Sequence, residues 1–229
     1  MEITEKDFEI FQKNELKPDS TFQFNCKMCG NCCRKRDVPI LITGADVYRI
    51  ASALSMSMRE VVEKNTAGYV GDTSHAPVLV LKERDDGSCS LLRKGRCMVH
   101  QNKPVVCVLF PLGRLYDFRD MSFHYFMNPS ICASGGESEH IWTLKEWLAN
   151  FEIEDTERMT EKWNKLVAGL TKITTRMKKE KISGRLLDII FSAMYLNYDM
   201  DKPYVEQVDQ QMSILKIVLK EEFGIKISF

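Results

Sequence analysis

A dense run of cysteines near the start of the sequence has the residue type and the spacing of a metal site. Cys26, Cys29, Cys32 and Cys33 lie within eight consecutive residues, as two C-x-x-C steps that share Cys29 and one further adjacent cysteine. One short loop can therefore turn several thiolates toward a common centre, as zinc and iron–sulfur sites both require. Gly30 can supply the positive φ that such a loop often needs. The stretch is predicted to be the nucleus of a metal or iron–sulfur site.

Further cysteines along the chain extend the set of candidate metal ligands. They are Cys89, Cys97, Cys107 and Cys132. The first three are expected at strand ends or turns, where a sulfur can be presented without disturbing a core. The eight cysteines of the chain suffice for two four-thiolate sites, whether of zinc or of iron and sulfide. Because the adjacent Cys32 and Cys33 can point in opposite directions, each is able to serve a different centre.

Disulfide bonds are the main alternative use of these cysteines, and the composition argues against them. A chain of 229 residues that is 44% hydrophobic can bury a core of normal size without covalent staples. The charged N-terminus is unlike a signal peptide, and the most apolar run, 186–196, is shorter than the roughly 20 residues of a membrane span. We therefore expect a cytoplasmic protein without a membrane segment, in which reduced thiols favour metal binding.

Equal numbers of basic and acidic residues argue against the binding of bulk nucleic acid. Lys and Arg total 32, as do Asp and Glu, so the formal net charge is zero. The basic run 34–36 after the cysteines is expected to be a solvated face, or to offset the negative charge of a thiolate centre. The sequence contains no phosphate-binding loop, H-E-x-x-H motif or Ser/His/Asp order. His100 and His124 are alternative metal ligands, although a structural role is expected for both.

Hydrophobic spacing and capping signals predict the elements around the first cysteines. The apolar residues within 1–20 fit one face of a short helix that ends at Pro18, and Phe22 and Phe24 alternate with polar neighbours as in a strand. Two helices follow, and the second is expected to end at Gly68 and Gly71. Their N-termini are marked by capping boxes, which are Thr43 with Asp46 and Ser57 with Glu60.

The middle and the end of the chain differ in their predicted secondary structure. Residues 72–126 are expected to be β-rich, with a strand over 78–81, a turn at 85–87 and a hairpin over 115–126. From residue 138 the sequence is cysteine-free and helical, and Gly224 is expected to end the last helix. The helix signals of this region are a Thr143/Glu146 capping box, the apolar run 186–196, and Pro203 before an apolar face of Val205, Val208, Met212 and Leu215.

These elements together predict an α+β fold with two parts. The first part, 1–137, is an irregular cysteine-rich metal-binding core with short strands and flanking helices. The second part, 138–229, is an all-helical C-terminal region that packs on the first.

The cysteine pattern and its surroundings resemble the YkgJ-type CxxCxxCC family, which is described as zinc- or iron-chelating. The hallmark of that family matches Cys26, Cys29, Cys32 and Cys33, with Gly30 in the usual place. Its later cysteines match Cys89, Cys97 and Cys107, the last within an R-P-x-x-C-R-x-F-P-like segment in which Lys103 replaces arginine and Val108 replaces the second arginine. Cys132 with Gly135 matches a later C-P-G-like element more loosely. The resemblance covers roughly residues 22–137.

The resemblance implies a metal cofactor and leaves two functions open. In the first, the protein is an iron–sulfur enzyme or electron carrier, with for example a 4Fe–4S cluster, that acts in redox chemistry or group transfer. Some relatives are described as flagellin lysine N-methylases, so the resemblance extends to S-adenosylmethionine and to a protein substrate or redox partner. In the second, a zinc ion stabilises the fold of an interaction module without catalysis. The eight cysteines are the candidate ligands under either hypothesis.

Overall fold

The computed structural model describes residues 13–34, 39–72, 75–117, 122–127, 139–150, 153–174 and 183–227. Within these ranges the chain forms seven α-helices and ten short strands, which belong to four small sheets. The α+β class predicted from the sequence is thereby confirmed. Most of the predicted helix over 1–20 lies outside the described residues, as do Cys132 and Gly135.

The strands pair in antiparallel fashion. In chain order they are β1 (Glu15–Leu16), β2 (Thr21–Gln23), β3 (Leu41–Ile42), β4 (Thr66–Val70), β5 (Pro77–Leu81), β6 (Leu92–Arg93), β7 (Arg96–Cys97), β8 (Leu112–Asp117), β9 (Ser122–Met127) and β10 (Ile141–Thr143). Two sheets have three strands, in the orders β1-β9-β8 and β3-β5-β4, and the others are the pairs β10-β2 and β6-β7.

Most of the helical residues lie in the C-terminal part of the described chain. In chain order they are α1 (Gly44–Leu54), α2 (Met58–Asn65), α3 (Val105–Leu109), α4 (Leu144–Asn150), α5 (Ile153–Thr174), α6 (Gly184–Tyr195) and α7 (Tyr204–Phe223). Each of the three predicted capping boxes is formed, because the side-chain oxygens of Thr43, Ser57 and Thr143 accept the backbone N–H three residues on. Gly224 has a φ of 66° and ends α7 as predicted.

Several segments differ from the expectations, each for a physical reason. Glu15 and Leu16 form a strand rather than helix, because they pair with β9. Helix α2 ends at Asn65, and Gly68 lies within β4, since Thr66 leaves the helix to pair with β5. Strand β10 precedes the C-terminal helices, whose region is therefore not wholly helical.

Two further expectations about individual side chains are wrong. Cys107 lies inside α3 rather than at a strand end or turn, because Pro104 occupies the N-cap and starts a helix there. Val205 was expected to face inward but is 46% exposed. Its neighbour Tyr204 takes the buried position instead and stacks on Tyr198 with ring centroids 4.4 Å apart.

Two hydrophobic cores hold these elements together. The first core joins β3, β5, α1 and α2 with α5, α6 and α7, and it includes Cys89, Leu91, Leu92 and Val99. The second core joins β2, α3, β8, β9 and α4 through Phe22, Phe24, Val105, Val108, Leu109, Leu112, Tyr125, Leu144 and Trp147. The cysteines therefore come from segments that belong to both cores.

Helix α1 packs closely on the C-terminal helices. A Cβ atom on Gly44 would overlap the carbonyl oxygen of Met194 and would lie 2.6 Å from the Tyr204 hydroxyl. The Tyr48 hydroxyl also donates to the carbonyl oxygens of Met200 and Lys202, at 3.2 and 2.9 Å. Helix α1, from the first proposed part of the chain, and the C-terminal helices, from the second, therefore share close backbone contacts. In the described part of the chain, no helix combines the length and the apolar character that a membrane crossing needs.

Candidate metal centre

The first cysteines lie on a tight loop that ends in a short 3-10 turn. Gly30 has a φ of 73° and precedes the turn Asn31–Cys33. The Cys33 N–H donates to the Gly30 carbonyl oxygen at 3.0 Å, and the Arg34 N–H donates to that of Asn31 at 3.0 Å. The left-handed conformation of Gly30 thus starts the turn that carries the last two cysteines of the motif.

This loop rests on the β6–β7 turn. A Cβ atom at Gly30 would lie 2.8 Å from the Gly95 carbonyl oxygen and 3.1 Å from the Leu92 side chain, so the glycine permits a close backbone approach. The Arg34 guanidinium donates to the carbonyl oxygen of Cys29 at 3.0 Å. Arg34 therefore holds the loop together. From the sequence, the basic run 34–36 was expected only to face solvent or to offset the charge of a thiolate centre.

A backbone hydrogen bond joins the loop to the next cysteine of the chain. The Cys89 N–H donates to the Cys33 carbonyl oxygen at 2.8 Å, and Cys89 itself is buried. The Arg84 guanidinium supports this segment by donating to the carbonyl oxygens of Ser90, at 2.9 Å, and Leu92. The predicted turn at 85–87 is also formed, and Gly87 has a φ of 75°. Arg84 was missed in the sequence because nothing marks a long-range backbone contact of an arginine.

The remaining described cysteines come from a hairpin and a helix. Cys97 lies on β7 and pairs with Leu92 of β6, around a turn in which Gly95 has a φ of 75°. Cys107 lies in α3, and the Val105 N–H at the start of this helix donates to the carboxylate of Asp46 at 2.9 Å. Cys97 and Cys107 are both half-buried.

The electrostatics show that five thiols lie close enough to influence one another. Burial raises the pKa of Cys107 to about 12, and the charges of Cys89, Cys32 and Cys97 act in the same direction. The pKa of Cys97 is raised first by burial and further by Cys89 and Cys32. The pKa of Cys33 is raised far above its usual value by the hydrogen bond with Cys32, by burial, and by the charges of Cys32, Cys89 and Cys107. We call Cys32, Cys33, Cys89, Cys97 and Cys107 the thiol group.

The thiol group gathers donors of the right chemistry, but its side chains do not converge on one point. Across the described ranges, no set of three or more His, Cys, Asp or Glu side chains is arranged to hold a metal ion. The donor chemistry nevertheless fits, because thiolates are the ligands that zinc and iron–sulfur centres share. A bound cation would also stabilise the thiolate forms that burial and mutual repulsion disfavour here.

The distance between the adjacent cysteines fits two ligands of one ion. The Sγ atoms of Cys32 and Cys33 are 3.9 Å apart. Two thiolates on one tetrahedral zinc, with Zn–S bonds of about 2.3 Å, would be separated by about 3.8 Å. The two side chains therefore face the same region. The sequence had suggested instead that adjacent cysteines could point in opposite directions.

The other candidate ligands differ in their surroundings. Cys26 and Cys29 are exposed, and Cys132 lies outside the described residues. His124 is held in a structural role, with one ring nitrogen 2.9 Å from Glu15 and the other 3.1 Å from the Ser122 hydroxyl. His100 is half-buried, and its pKa is lowered by burial and by Lys103.

Aromatic rings connect the two ends of the site. Phe24, just before the first cysteine, contacts Phe110, just after the Cys107 helix, with ring centroids 5.6 Å apart. Phe24 also contacts Trp147 of α4 at 5.8 Å, and Phe22 and Phe24 are both buried. Phe22, Phe24, Phe110 and Trp147 thus form an aromatic wall in the second core, beside the cysteine segments.

The fold and the site define a cysteine-cluster protein, in which small sheets and short helices gather thiols at the junction of two cores. Residues 25–133 match the CxxCxxCC family, whose description is "Putative zinc- or iron-chelating domain". The match agrees with the resemblance that the cysteine pattern indicates. The comparison with curated proteins gave no match, and neither did the comparison with solved structures.

Proposed function

We propose that this protein binds a zinc or iron ion through thiolates of the thiol group. The observation that carries the proposal is the 3.9 Å separation of the Cys32 and Cys33 sulfurs, which suits two ligands of a single ion. Cys89, Cys97 and Cys107 are the proposed sources of the remaining ligands, since their thiols act electrostatically on the same region. A thiolate-bound ion would add binding free energy to the folded state.

The chain's own residues would prepare this site in three ways. Gly30 and the 3-10 turn present Cys32 and Cys33 together. The hydrogen bond from Cys89 to Cys33 fixes the spacing between the two segments. The aromatic wall formed by Phe22, Phe24, Phe110 and Trp147 would restrict the access of water from the side of the second core.

The identity of the metal separates two forms of the proposal. A single zinc ion with two adjacent thiolates would stabilise the fold, and the helical C-terminal region would then dock a partner. An iron–sulfur centre would serve redox chemistry or group transfer, and the aromatic wall favours this second form because an apolar shell tunes redox potential. In a cubane each iron takes one cysteine, so Cys32 and Cys33 would have to separate to occupy two corners. A single iron that binds both Cys32 and Cys33 would not require the two sulfurs to separate.

The test is anaerobic purification of the full chain, followed by analysis of metal and acid-labile sulfide and by an absorption spectrum. Zinc without sulfide and without visible absorption would support the stabilising ion and contradict the iron–sulfur form. Iron with sulfide and a broad visible band would support the cluster. A purified protein that holds no metal and binds neither zinc nor iron on addition would overturn the proposal in both forms.

A further inference from the structure

We propose that Asp46 is a positioning residue that places Cys107 in the thiol group by capping the helix on which Cys107 lies. This inference rests on the proposed metal-binding function. Asp46 belongs to α1 and Cys107 to α3, and no sequence signal connects these two helices. Asp46 is 1% exposed, which is unusual for a carboxylate and requires that its oxygens have partners.

The Asp46 carboxylate serves two helices at once. One oxygen, Oδ2, accepts the Thr43 N–H at 2.9 Å and the Thr43 hydroxyl at 3.0 Å, which completes the capping box of α1. The other oxygen, Oδ1, accepts the Val105 N–H at 2.9 Å in a buried hydrogen bond. The capping box was predicted from the sequence, whereas the second bond depends on the tertiary packing of α3 against α1.

Helix α3 depends on this bond because it has no cap of its own. Its N-cap is Pro104, whose side chain cannot accept a hydrogen bond, and no side-chain cap is formed there. The first N–H groups of a helix lack partners within the helix, and a buried unpaired N–H is costly. Asp46 therefore supplies from another element the acceptor that α3 lacks, two residues before Cys107 in the chain.

The bond also crosses the junction between the two cores. Val105 belongs to the second core, whereas the residues next to Asp46 on α1, such as Ala45 and Val47, belong to the first. The thiols of Cys33, Cys89 and Cys97 are attached to the first core, and Cys107 is carried by a helix of the second. The position of Cys107 relative to the other thiols thus depends on how α3 is fixed to α1.

The charge of Asp46 and its hydrogen bond to Val105 can be separated by substitution. Asparagine removes the negative charge and keeps a carbonyl oxygen that can accept the Val105 N–H, whereas alanine removes both.

The test compares Asp46→Ala with Asp46→Asn, Thr43→Ala and Cys107→Ser in the full chain. Thr43→Ala is the matched control, because it weakens the cap of α1 and leaves the bond from Val105 to Asp46 in place. The first measurement is hydrogen exchange at the Val105 amide in the metal-free protein. The second is titration with Co²⁺ alone, whose sulfur-to-metal charge-transfer band reports the number of thiolate ligands.

We expect Asp46→Ala to speed exchange at Val105 and to weaken Co²⁺ binding by about 10- to 100-fold, as is typical when a residue that orients a ligand is lost. Its charge-transfer band should fall to that of Cys107→Ser. Thr43→Ala should leave both the affinity and the band unchanged. Asp46→Asn keeps one carbonyl acceptor for Val105 and should recover most of the affinity. It is also the variant to use if Asp46→Ala fails to fold.

Two results would overturn the inference while the proposed function stands. The first is an Asp46→Ala variant whose Co²⁺ affinity and charge-transfer band equal those of the wild type. If Asp46→Ala does not fold, the equivalent result is an Asp46→Asn variant that loses as much Co²⁺ affinity as Cys107→Ser. The second is an equal loss in Thr43→Ala, which would show that Asp46 only stabilises α1. If the wild-type protein itself binds no Co²⁺, the proposed function fails and the inference fails with it. Exchange at Val105 would then still report whether the hydrogen bond exists.

Discussion

The Cys89 backbone N–H donates to the carbonyl oxygen of Cys33 over 2.8 Å, and so joins two cysteine segments that are far apart in the sequence. A backbone hydrogen bond does not depend on which metal the thiols bind, or on whether they bind one. The two segments can therefore be adjacent before any metal arrives.

Replacing Gly30 with alanine should disrupt the cysteine loop. An alanine there would need a φ near 73°, and its Cβ would lie 2.8 Å from the Gly95 carbonyl oxygen. We expect the free energy of unfolding to fall by about 2–4 kcal/mol and metal binding to weaken. Chemical denaturation and metal titration measure the two effects.

Gly224→Ala is the matched control for this change. Gly224 has a similar φ of 66°, but no atom lies within 4 Å of a Cβ placed there. It should lose only the about 1–2 kcal/mol of the left-handed conformation and keep its metal affinity. Equal losses in the two variants would show that the close approach of the loop to Gly95 has no energetic importance.

Replacing Gly44 with alanine should separate α1 from the C-terminal helices. The added Cβ would overlap the Met194 carbonyl oxygen, which is backbone and cannot rotate away. We expect a loss of about 1–3 kcal/mol in the free energy of unfolding, measured in urea. Gly184→Ala at the start of α6 has open space around it and should be neutral or slightly stabilising. A wild-type stability for Gly44→Ala would contradict the close packing of these helices.

The capping box of α2 predicts a loss of stability in acid. Hydrogen bonds from the Ser57 backbone and the Lys64 side chain lower the pKa of Glu60 from 4.5 to about 2. Because the folded protein has the lower pKa, Glu60 stabilises the fold above pH 4.5, and this contribution is lost as the pH falls toward 2. Denaturation curves at several pH values should therefore show a smaller acid-induced loss for Glu60→Gln than for the wild type. Glu63→Gln, on the same helix outside the capping box, should retain the full loss.

The contact between Phe24 and Phe110 should couple the two ends of the site energetically. In a double-mutant cycle with leucine at each position, we expect a coupling of about 0.5–1.5 kcal/mol from the edge-to-face ring pair. Phe24→Leu combined with Phe191→Leu is the control, since Phe191 packs against Tyr195 in the first core. That pair should be additive, and additivity in both cycles would remove the aromatic wall as a link between the segments.

Local interactions account for the parts of the fold that the sequence predicted well. The three capping boxes, the turn at 85–87 and the end of α7 at Gly224 each depend on residues within about four positions of one another. Such signals survive in any tertiary context. The cysteine loop was predicted for the same reason, because its spacing and Gly30 are local features.

Most of the expectations that were wrong involve partners that are distant in the sequence. Glu15 and Leu16 form a strand because they pair with β9. Val205 faces solvent because Tyr204 occupies the buried position beside Tyr198. Cys107 was predicted at a strand end or turn but lies in helix α3. The first N–H of that helix, at Val105, donates to Asp46 of α1. The pairing of β1 with β9 and the bond from Val105 to Asp46 join residues too far apart for one short window of sequence to contain both.

The sequence by itself determined that this chain gathers cysteines with metal-binding spacing, within residues that match the CxxCxxCC family model. Only the tertiary structure decided which thiols act on one another, that Cys32 and Cys33 face the same region, and that the Asp46 carboxylate serves both α1 and the helix of Cys107. The physical reason is one of range. Spacing and capping are properties of a short peptide, whereas the meeting of thiols from two cores depends on how those cores pack together.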